Sequence, residues 1–183
     1  LSRLVDNILD YAAIERGSKQ YILRKGNIAE TVYRAIESVR STLELKDIEL
    51  IIDVPYDLPP VHHDTDAITQ CIVNLVSNAA KYSPGGSQVR LHGRVVEGVE
   101  LTVSDSGIGI AAHDLRKIFD PFYRSRDSLA RRQKGTGIGL TITRYIIEAH
   151  GGSISVQSQP GKGSTFTLRF PAQPPPTPSR STI

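Results

Sequence analysis

DSGIGI at residues 105–110 and GTGIGL at residues 135–140 frame a polar, basic segment that contains FDPFYR at 119–124. A glycine-x-glycine turn lets backbone N–H groups approach a phosphate or a base, because no Cβ stands in the way. The second turn also opens a predicted helix, whose N-terminus favours anions. One such turn would be a weak signal. Two of them around a basic loop predict a nucleotide pocket with a flexible cover.

Composition places the chain among soluble globular proteins. Its 183 residues are 39% hydrophobic and 22% charged, enough for one domain with a core and inconsistent with disorder throughout. No run approaches the roughly 18 apolar residues of a spanning helix, so we expect no membrane contact. The net charge of +3 comes from short clusters, which argues against nucleic acid as a partner. The single cysteine, Cys71, fits a buried thiol in a reduced, cytoplasmic setting.

Hydrophobic periodicity predicts an order of helices and strands. Helical spacing covers residues 28–45, 65–82 and 138–149, with a shorter helix near 112–119. Strands are expected at 21–24, 48–54, 61–63, 89–95, 99–103, 154–157 and 165–170. Asn27 followed by Glu30 resembles a helix N-cap with its box partner. The proline-rich tail, 171–183, has too little apolar surface to fold, so we expect it to be disordered.

Residues 1–17 form a separate predicted helix that ends at Gly17, a residue suited to a C-cap. One apolar stripe runs along it through Leu1, Leu4, Val5, Ile8, Leu9 and Ala12. The stripe is typical of a coiled-coil seam, and we interpret the segment as the end of a dimerising helix. The alternative is an ordinary helix packed on the domain. Because the chain contains no methionine and begins at Leu1, we expect it to be a piece of a longer protein.

The predicted helix 65–82 has two different faces. An arc of Ile68, Ile72, Leu75, Val76 and Ala79 builds the core. At 100° per residue, Asn74, Asn78 and Lys81 lie on another side, within about 60° of one another. That side presents two amides and an amine.

Five motifs occur in a known order: NLVSNAAKYS at 74–83, DSGIGI, FDPFYR, GTGIGL, and GKGSTF at 161–166. With them the chain resembles the catalytic and ATP-binding domain of sensor histidine kinases, within the ATPase superfamily shared with gyrase B, Hsp90 and MutL. The resemblance covers about residues 20–170. It implies a Bergerat-type, two-layer α/β (α+β) sandwich, in which a mixed, mainly antiparallel sheet packs on three helices and ATP lies under a lid. Residues 1–17 would end the dimerisation hairpin, 18–170 form the catalytic domain, and 171–183 the tail.

Asp105 is the predicted adenine contact. An ionised carboxylate only accepts hydrogen bonds, so it binds the exocyclic amine of adenine and repels the carbonyl that guanine presents there. The resemblance assigns the same role to this Asp. The alternative is a turn aspartate that caps its own loop.

The resemblance places the metal and phosphate groups on helix 65–82. Asn78 offers an amide oxygen to Mg²⁺, a hard cation that shares few protein ligands. Lys81 would neutralise phosphate charge, Tyr82 would line the adenine or ribose side, and Asn74 would order a phosphate or a water. For Lys81 the alternative is a plain surface lysine. For Tyr82 and Asn74 the alternative is a purely structural role. Asn74, Lys81 and Arg124 are the candidate catalytic residues.

The remaining predicted contacts come from the two glycine turns and the lid. Arg124 matches a family arginine that approaches the γ-phosphate, whereas Arg126, Arg131, Arg132 and Lys134 have a weaker claim. Phe119 and Phe122 are expected to anchor the lid to the body by packing. Thr165 is expected to close the pocket floor. Further contacts to ATP are predicted for Gly107, Gly109, Ile110, Gly135, Thr136, Gly137, Gly139 and Leu140.

The resemblance implies a reaction and its partners. The domain would transfer the γ-phosphoryl of Mg-ATP to a histidine on the dimerisation domain of the same protein, a homodimer at full length. A response regulator receiver domain would then take the group. The expected location is cytoplasmic, whether or not the parent protein is anchored in a membrane.

Two features bear on that reaction. The gyrase, Hsp90 and MutL branch carries a water-activating Glu where this chain has Asn74, and an amide cannot accept a proton. The acceptor histidine is expected outside the chain, because His63-Asp64 follows Pro59-Pro60 and not a helical hairpin. The alternatives are an ATP-binding sensing or scaffold module without transfer, and an anti-sigma-type serine kinase.

Overall fold

A computed structural model describes residues 2–125, 130 and 135–173 of the chain. The helices are α1 (Ser2–Glu15), α2 (Ile28–Leu45), α3 (Thr65–Tyr82) and α4 (Gly139–Ala149). The strands are β1 (Arg24–Gly26), β2 (Glu49–Asp53), β3 (Val61–His63), β4 (Gln88–Val95), β5 (Gly98–Asp105), β6 (Ser153–Gln159) and β7 (Gly163–Pro171). Within these residues no helix is long and apolar enough to cross a membrane.

The main sheet has five strands in the order β2-β4-β5-β7-β6. Strand β2 runs parallel to β4, and the other three pairings are antiparallel. β1 and β3 form a separate antiparallel pair. The predicted mixed, mainly antiparallel sheet packed with helices is therefore confirmed.

Alternation along the central strands builds the core. In β5 Val99, Leu101 and Val103 are buried, and they pair with Phe170, Leu168 and Phe166 of β7. These cross-strand pairs face the helix layer, where α3 packs between α2 and α4. The apolar arc predicted on 65–82 is buried as expected, and Cys71 is fully buried beside it. Burial raises the pKa of the Cys71 thiol, so it is held in its neutral form.

Two polar residues begin the helices that matter for the site. Asn27 caps α2 through its side chain, which accepts the Ala29 N–H at 2.9 Å and confirms the predicted N-cap. Asp64 caps α3 by accepting the Ala67 N–H at 3.1 Å. Its neighbour His63 is buried and lies 2.8 Å from Thr31 Oγ1. The His63-Asp64 pair thus has a structural role at the start of α3.

The structure differs from the sequence expectation in two segments. The strand predicted at 21–24 lies instead at Arg24–Gly26, because the partner strand β3 pairs with those residues. The short helix expected near 112–119 is a run of turns, with hydrogen bonds such as Lys117 N–H to the Asp114 carbonyl at 2.8 Å. Asp114 itself is buried, for reasons that bear on the site below.

Helix α1 has one packed face and one exposed face. Tyr11 and Ile14 pack against the core, as the alternative of a helix docked on the domain predicts. Val5, Ile8 and Leu9 remain 49%, 46% and 61% exposed, which fits a seam for another helix. The predicted C-cap is confirmed: Gly17 has φ 64° and its N–H donates to the Ile14 carbonyl. Leu1, and the side chains of Ser2, Arg3, Leu4 and Asp6, lie outside the described part.

Candidate nucleotide-binding site

A cavity of about 440 Å³ opens between α3, the end of β5 and the start of α4. Its size suits a nucleotide-sized ligand. Most of the predicted site residues line it: Asn74, Asn78, Lys81, Tyr82, Asp105, Gly109, Ile110, Arg124, Gly135, Thr136, Gly137, Gly139 and Leu140. These residues are up to 66 positions apart in the chain, counting from Asn74 to Leu140, and the fold brings them around one space.

Asp105 ends β5 with its carboxylate in the cavity wall. Both of its hydrogen-bond donors are backbone groups: the Gly107 N–H, at 2.8 Å from Oδ1, and the Ser164 N–H. Burial raises the pKa of Asp105, and these two N–H groups partly offset that rise. Gly163 of β7 packs directly behind, since a Cβ there would lie 1.9 Å from the Asp105 carbonyl oxygen. The carboxylate is therefore fixed in place and keeps accepting capacity toward the cavity.

One face of α3 forms the opposite wall. The Asn74 amide donates to Thr143 Oγ1 at 3.0 Å, and that hydroxyl donates to the Gly139 carbonyl at 3.0 Å. Asn78, one turn further, makes no side-chain hydrogen bond to the described residues, which leaves its amide for a ligand. The Lys81 amine lies 4.7 Å from the centre of the Tyr82 ring. Asn74 is thus tied to α4, whereas Asn78 and Lys81 face the cavity.

The second glycine turn brings the N-terminus of α4 to the cavity. Ile138 occupies the N-cap position, and no side chain caps the first turn. The backbone N–H groups of the first turn of α4 are therefore available to an anion. Gly139 must lack a side chain here, because a Cβ would lie 2.3 Å from Asn74 Oδ1. The close approach of α3 and α4 depends on that glycine.

The family described as "Histidine kinase-, DNA gyrase B-, and HSP90-like ATPase" matches residues 63–174, which include both glycine turns and all of α3. The chain belongs to this family of ATPases. The ATPase core thus accounts for the arrangement of α3, β5 and α4 around the cavity.

Named relatives support the histidine kinase branch of these ATPases. "Adaptive-response sensory kinase SasA" of Thermosynechococcus vestitus is 38% identical over 174 residues, covering 93% of this chain and 45% of the relative. "Sensor histidine kinase WalK" of Bacillus subtilis is 37% identical over 172 residues, covering 92% and 28% respectively. The chain therefore spans less than half the length of these relatives.

A solved structure shares the fold. Full-length ShkA in complex with AMPPNP aligns with a TM-score of 0.80 and 26% identity. The alignment covers 97% of this chain and 37% of that chain. The fold shared with that structure therefore extends over almost the whole chain.

Two predicted contacts lie outside the cavity lining of this ATPase domain. Gly107 packs against the Tyr82 carbonyl, where a Cβ would lie at 2.4 Å, so it supports the wall from behind. Thr165 points to the other face of β7, where its hydroxyl lies 3.0 Å from Ser104 Oγ, and its neighbours Ser164 and Phe166 line the cavity instead. The two-residue alternation of a strand explains the difference.

Other lining residues were missed by the sequence analysis. Ser77 lies on the same face of α3 as Asn74 and Lys81, and helical periodicity could have found it. Asn7 comes from α1, which the motifs do not cover. The remaining missed residues are Ala79, Ile108, Ile118, Tyr123, Ser125, Ala130, Ser164 and Phe166. Arg126, Arg131, Arg132 and Lys134 lie outside the described residues.

The expected anchoring by two phenylalanines holds for only one of them. Phe119 is buried, and its carbonyl accepts a hydrogen bond from Thr141 of α4. Phe122 is 61% exposed, has φ 61°, and forms a T-shaped pair with the Tyr11 ring at 5.7 Å between centroids. The left-handed backbone at Phe122 turns its side chain away from the core and toward α1.

The donor set fits a magnesium ion that is shared with a nucleotide. No group of three or more His, Cys, Asp or Glu side chains forms a metal site among the described residues. A cation in the cavity would therefore rest on the Asn78 amide oxygen together with ligand oxygens and water. Mg²⁺ is commonly held in this way, by few protein ligands and by phosphates.

Proposed function

We propose that this domain binds Mg-ATP and transfers its γ-phosphoryl group to a histidine on the dimerisation domain of the same protein. The observation that carries the proposal is the convergence of Asp105, Asn78 and Lys81 on one cavity. Each group matches a different part of the ligand: the adenine amine, the metal and the phosphates. We further propose that the phosphoryl group passes on to the receiver domain of a response regulator.

Asp105 selects the base. Its carboxylate already accepts two backbone N–H groups, which fix its orientation, and its remaining lone pairs accept the adenine amine. A guanine carbonyl at the same place would face a second acceptor.

The phosphates extend from Asp105 toward the start of α4. Lys81 supplies a point charge from α3, and the uncapped N–H groups of the α4 N-terminus supply partial positive charge. Arg124, whose side chain is exposed at the cavity edge, completes the positive surroundings of the terminal phosphate. Asn78 would hold Mg²⁺, which neutralises charge on the phosphate oxygens when it is bound.

Transfer is favoured over hydrolysis by the state of Asn74. An amide has no basic site for a water proton, and here its nitrogen is committed to Thr143. At the position where a hydrolase carries its catalytic base, this domain has an amide that binds α4 instead. In the proposed reaction the acceptor imidazole nitrogen forms the bond to phosphorus, the bond to the bridging oxygen breaks, and ADP leaves.

Helix α1 is the proposed link to the acceptor. Residues 1–17 would end the dimerisation hairpin, with the exposed stripe of Val5, Ile8 and Leu9 as part of the seam between two subunits. Residues 18–170 would form the catalytic domain, followed by the tail, 171–183. The acceptor histidine would come from outside the chain, in a cytoplasmic part of the parent homodimer.

The test is a transfer reaction with γ-labelled ATP, this domain and the dimerising hairpin of the parent protein. We expect acid-labile label on a histidine of the hairpin, and none with the Asp105→Asn variant. ATP binding without a labelled hairpin would support the alternative of a sensing or scaffold module. Label on a serine would support the alternative of an anti-sigma-type serine kinase. Steady-state ATP hydrolysis by the isolated domain, well above that of the Asp105 variant, would contradict the role of Asn74.

A further inference from the structure

Asp114 is a buried carboxylate that lies just outside the nucleotide cavity. It is 1% exposed, in the run of turns that precedes Phe119. Two hydroxyl groups donate to it: Tyr123 Oη to Oδ1 and Ser125 Oγ to Oδ2, both at 2.5 Å. His113 Nε2 lies 3.3 Å from Oδ1. A carboxylate that is buried to this degree is stable only if such partners replace its water.

The two donors stand on either side of Arg124. Tyr123, Arg124 and Ser125, here called the stem, all line the cavity, whereas Asp114 does not. One carboxylate therefore holds the residue before the arginine and the residue after it. Fixing both neighbours restricts the backbone from which the Arg124 side chain reaches the cavity edge.

The base of the stem is also fixed from the side of α4. Gly137 packs against it so closely that a Cβ would lie 2.6 Å from the Tyr123 carbonyl oxygen. Thr141 donates to the Phe119 carbonyl at 3.0 Å. Because the hydrogen bond from Asn74 to Thr143 ties α4 to α3, the stem is held between α4 and Asp114.

We propose that Asp114 is a positioning residue that sets Arg124 against the terminal phosphate of the nucleotide. The inference rests on the proposed function, since it assumes that ATP fills the cavity. Asp114 acts through the stem and does not touch the ligand. Its contribution therefore depends on the γ-phosphate, in contrast to that of Asp105, which contacts the base common to ATP and ADP.

The dissociation constants of ATP and ADP, measured by calorimetry, test this role. The preference for ATP over ADP is the quantity of interest, because a general loss of structure weakens both nucleotides alike. We expect Arg124→Ala to lower this preference about tenfold or more, as for the loss of a hydrogen bond to a charged group. Asp114→Ala should lower it to a similar extent. The double variant should lower it no further than Arg124→Ala alone, because both changes remove the same interaction.

Three variants serve as controls. Asp114→Asn retains one carbonyl oxygen and should keep more of the preference than Asp114→Ala. Asp120→Asn removes an exposed carboxylate six residues along and should leave it unchanged. If Asp114→Ala does not fold, Ser125→Ala removes one of the two donors and should lower the preference by a smaller factor.

The outcomes separate the inference from the function beneath it. Wild-type protein that binds neither nucleotide would overturn the proposed function, and the inference with it. Normal ATP binding together with an unchanged ATP preference in the Asp114 variants would overturn the inference alone. Equal losses for ATP and ADP would also overturn it, since they would show a structural role only.

Discussion

Strand β5 carries two carboxylates that are five residues apart and have opposite surroundings. Glu100 lies on the outer face of the sheet, 2% exposed, between two arginines. Arg94 Nε donates to its Oε1 at 2.7 Å, and Arg169 Nε donates to its Oε2 at 2.8 Å. Asp105, at the end of the strand, receives only backbone N–H groups. One carboxylate is satisfied by the fold, and the other retains capacity for a ligand.

The difference appears in the direction of the two pKa values. The hydrogen bond from Arg169, with further help from Arg94, lowers the pKa of Glu100 below its ordinary value. Burial raises the pKa of Asp105, because no guanidinium compensates for the lost water. A carboxylate that stabilises the fold is thus paired within it. A carboxylate that binds a ligand is held at a cost in stability, which the ligand repays.

The largest expected effect is the loss of ATP binding in Asp105→Asn. The amide still has one acceptor oxygen, but its NH₂ group must face either a backbone N–H or the adenine amine. We expect affinity to fall by on the order of 1–3 kcal/mol, which is about fivefold or more. The free energy of unfolding should stay the same or rise, since a buried charge is removed. Calorimetry and chemical denaturation measure the two quantities.

If the Asp105→Asn variant binds ATP with wild-type affinity, Asp105 does not contact the nucleotide. Asp53→Asn is a matched control, since that Asp is an exposed strand residue away from the cavity. It should change neither ATP affinity nor stability.

The reverse result is expected for Glu100→Gln. The variant replaces charge-assisted hydrogen bonds with weaker ones, and both arginines are more than half exposed, so solvent screens part of the loss. We expect the free energy of unfolding to fall by about 1 kcal/mol with ATP affinity unchanged. Chemical denaturation with and without nucleotide checks this. A fall in ATP affinity without a fall in stability would erase the distinction between the two carboxylates.

Asp105 could be predicted from the sequence, and Glu100 could not. Asp105 belongs to a local motif, DSGIGI, whose residues are adjacent in the chain and act on the same ligand. Glu100 occupies a polar position in an alternating strand, where a solvent-exposed side chain is the ordinary expectation. Its partner Arg169 is 69 residues away and meets it only through the register of β5 with β7. Pairings of that kind depend on strand order, which periodicity does not give.

The same reasoning explains the other differences. Helices α2 and α3 were predicted close to their observed bounds, because their periodicity and caps are local. The strand Arg24–Gly26 was misplaced by three residues at its start, since its position is decided by pairing with β3. Asp114 was missed because its two donors lie beyond a turn that sequence spacing suggested was helical. Tertiary contacts decided the position of this strand and the surroundings of Asp114.

The smallest expected effect is a difference in how the two carboxylates change stability with pH. The folded-state pKa of Glu100 lies below the ordinary 4.5, so its stabilisation is complete above that pH and is lost as pH falls through the lowered value. The folded-state pKa of Asp105 lies above the ordinary 3.8, so its charge costs stability at neutral pH, and protonation removes that cost as pH falls. We therefore expect wild type to lose its advantage over Glu100→Gln below pH 4.5. As pH falls through the raised pKa of Asp105 toward 3.8, wild type should regain stability relative to Asp105→Asn, so parallel denaturation of the three proteins would show opposite slopes. Slopes of one sign would mean that the two carboxylates on β5 are not differently paired.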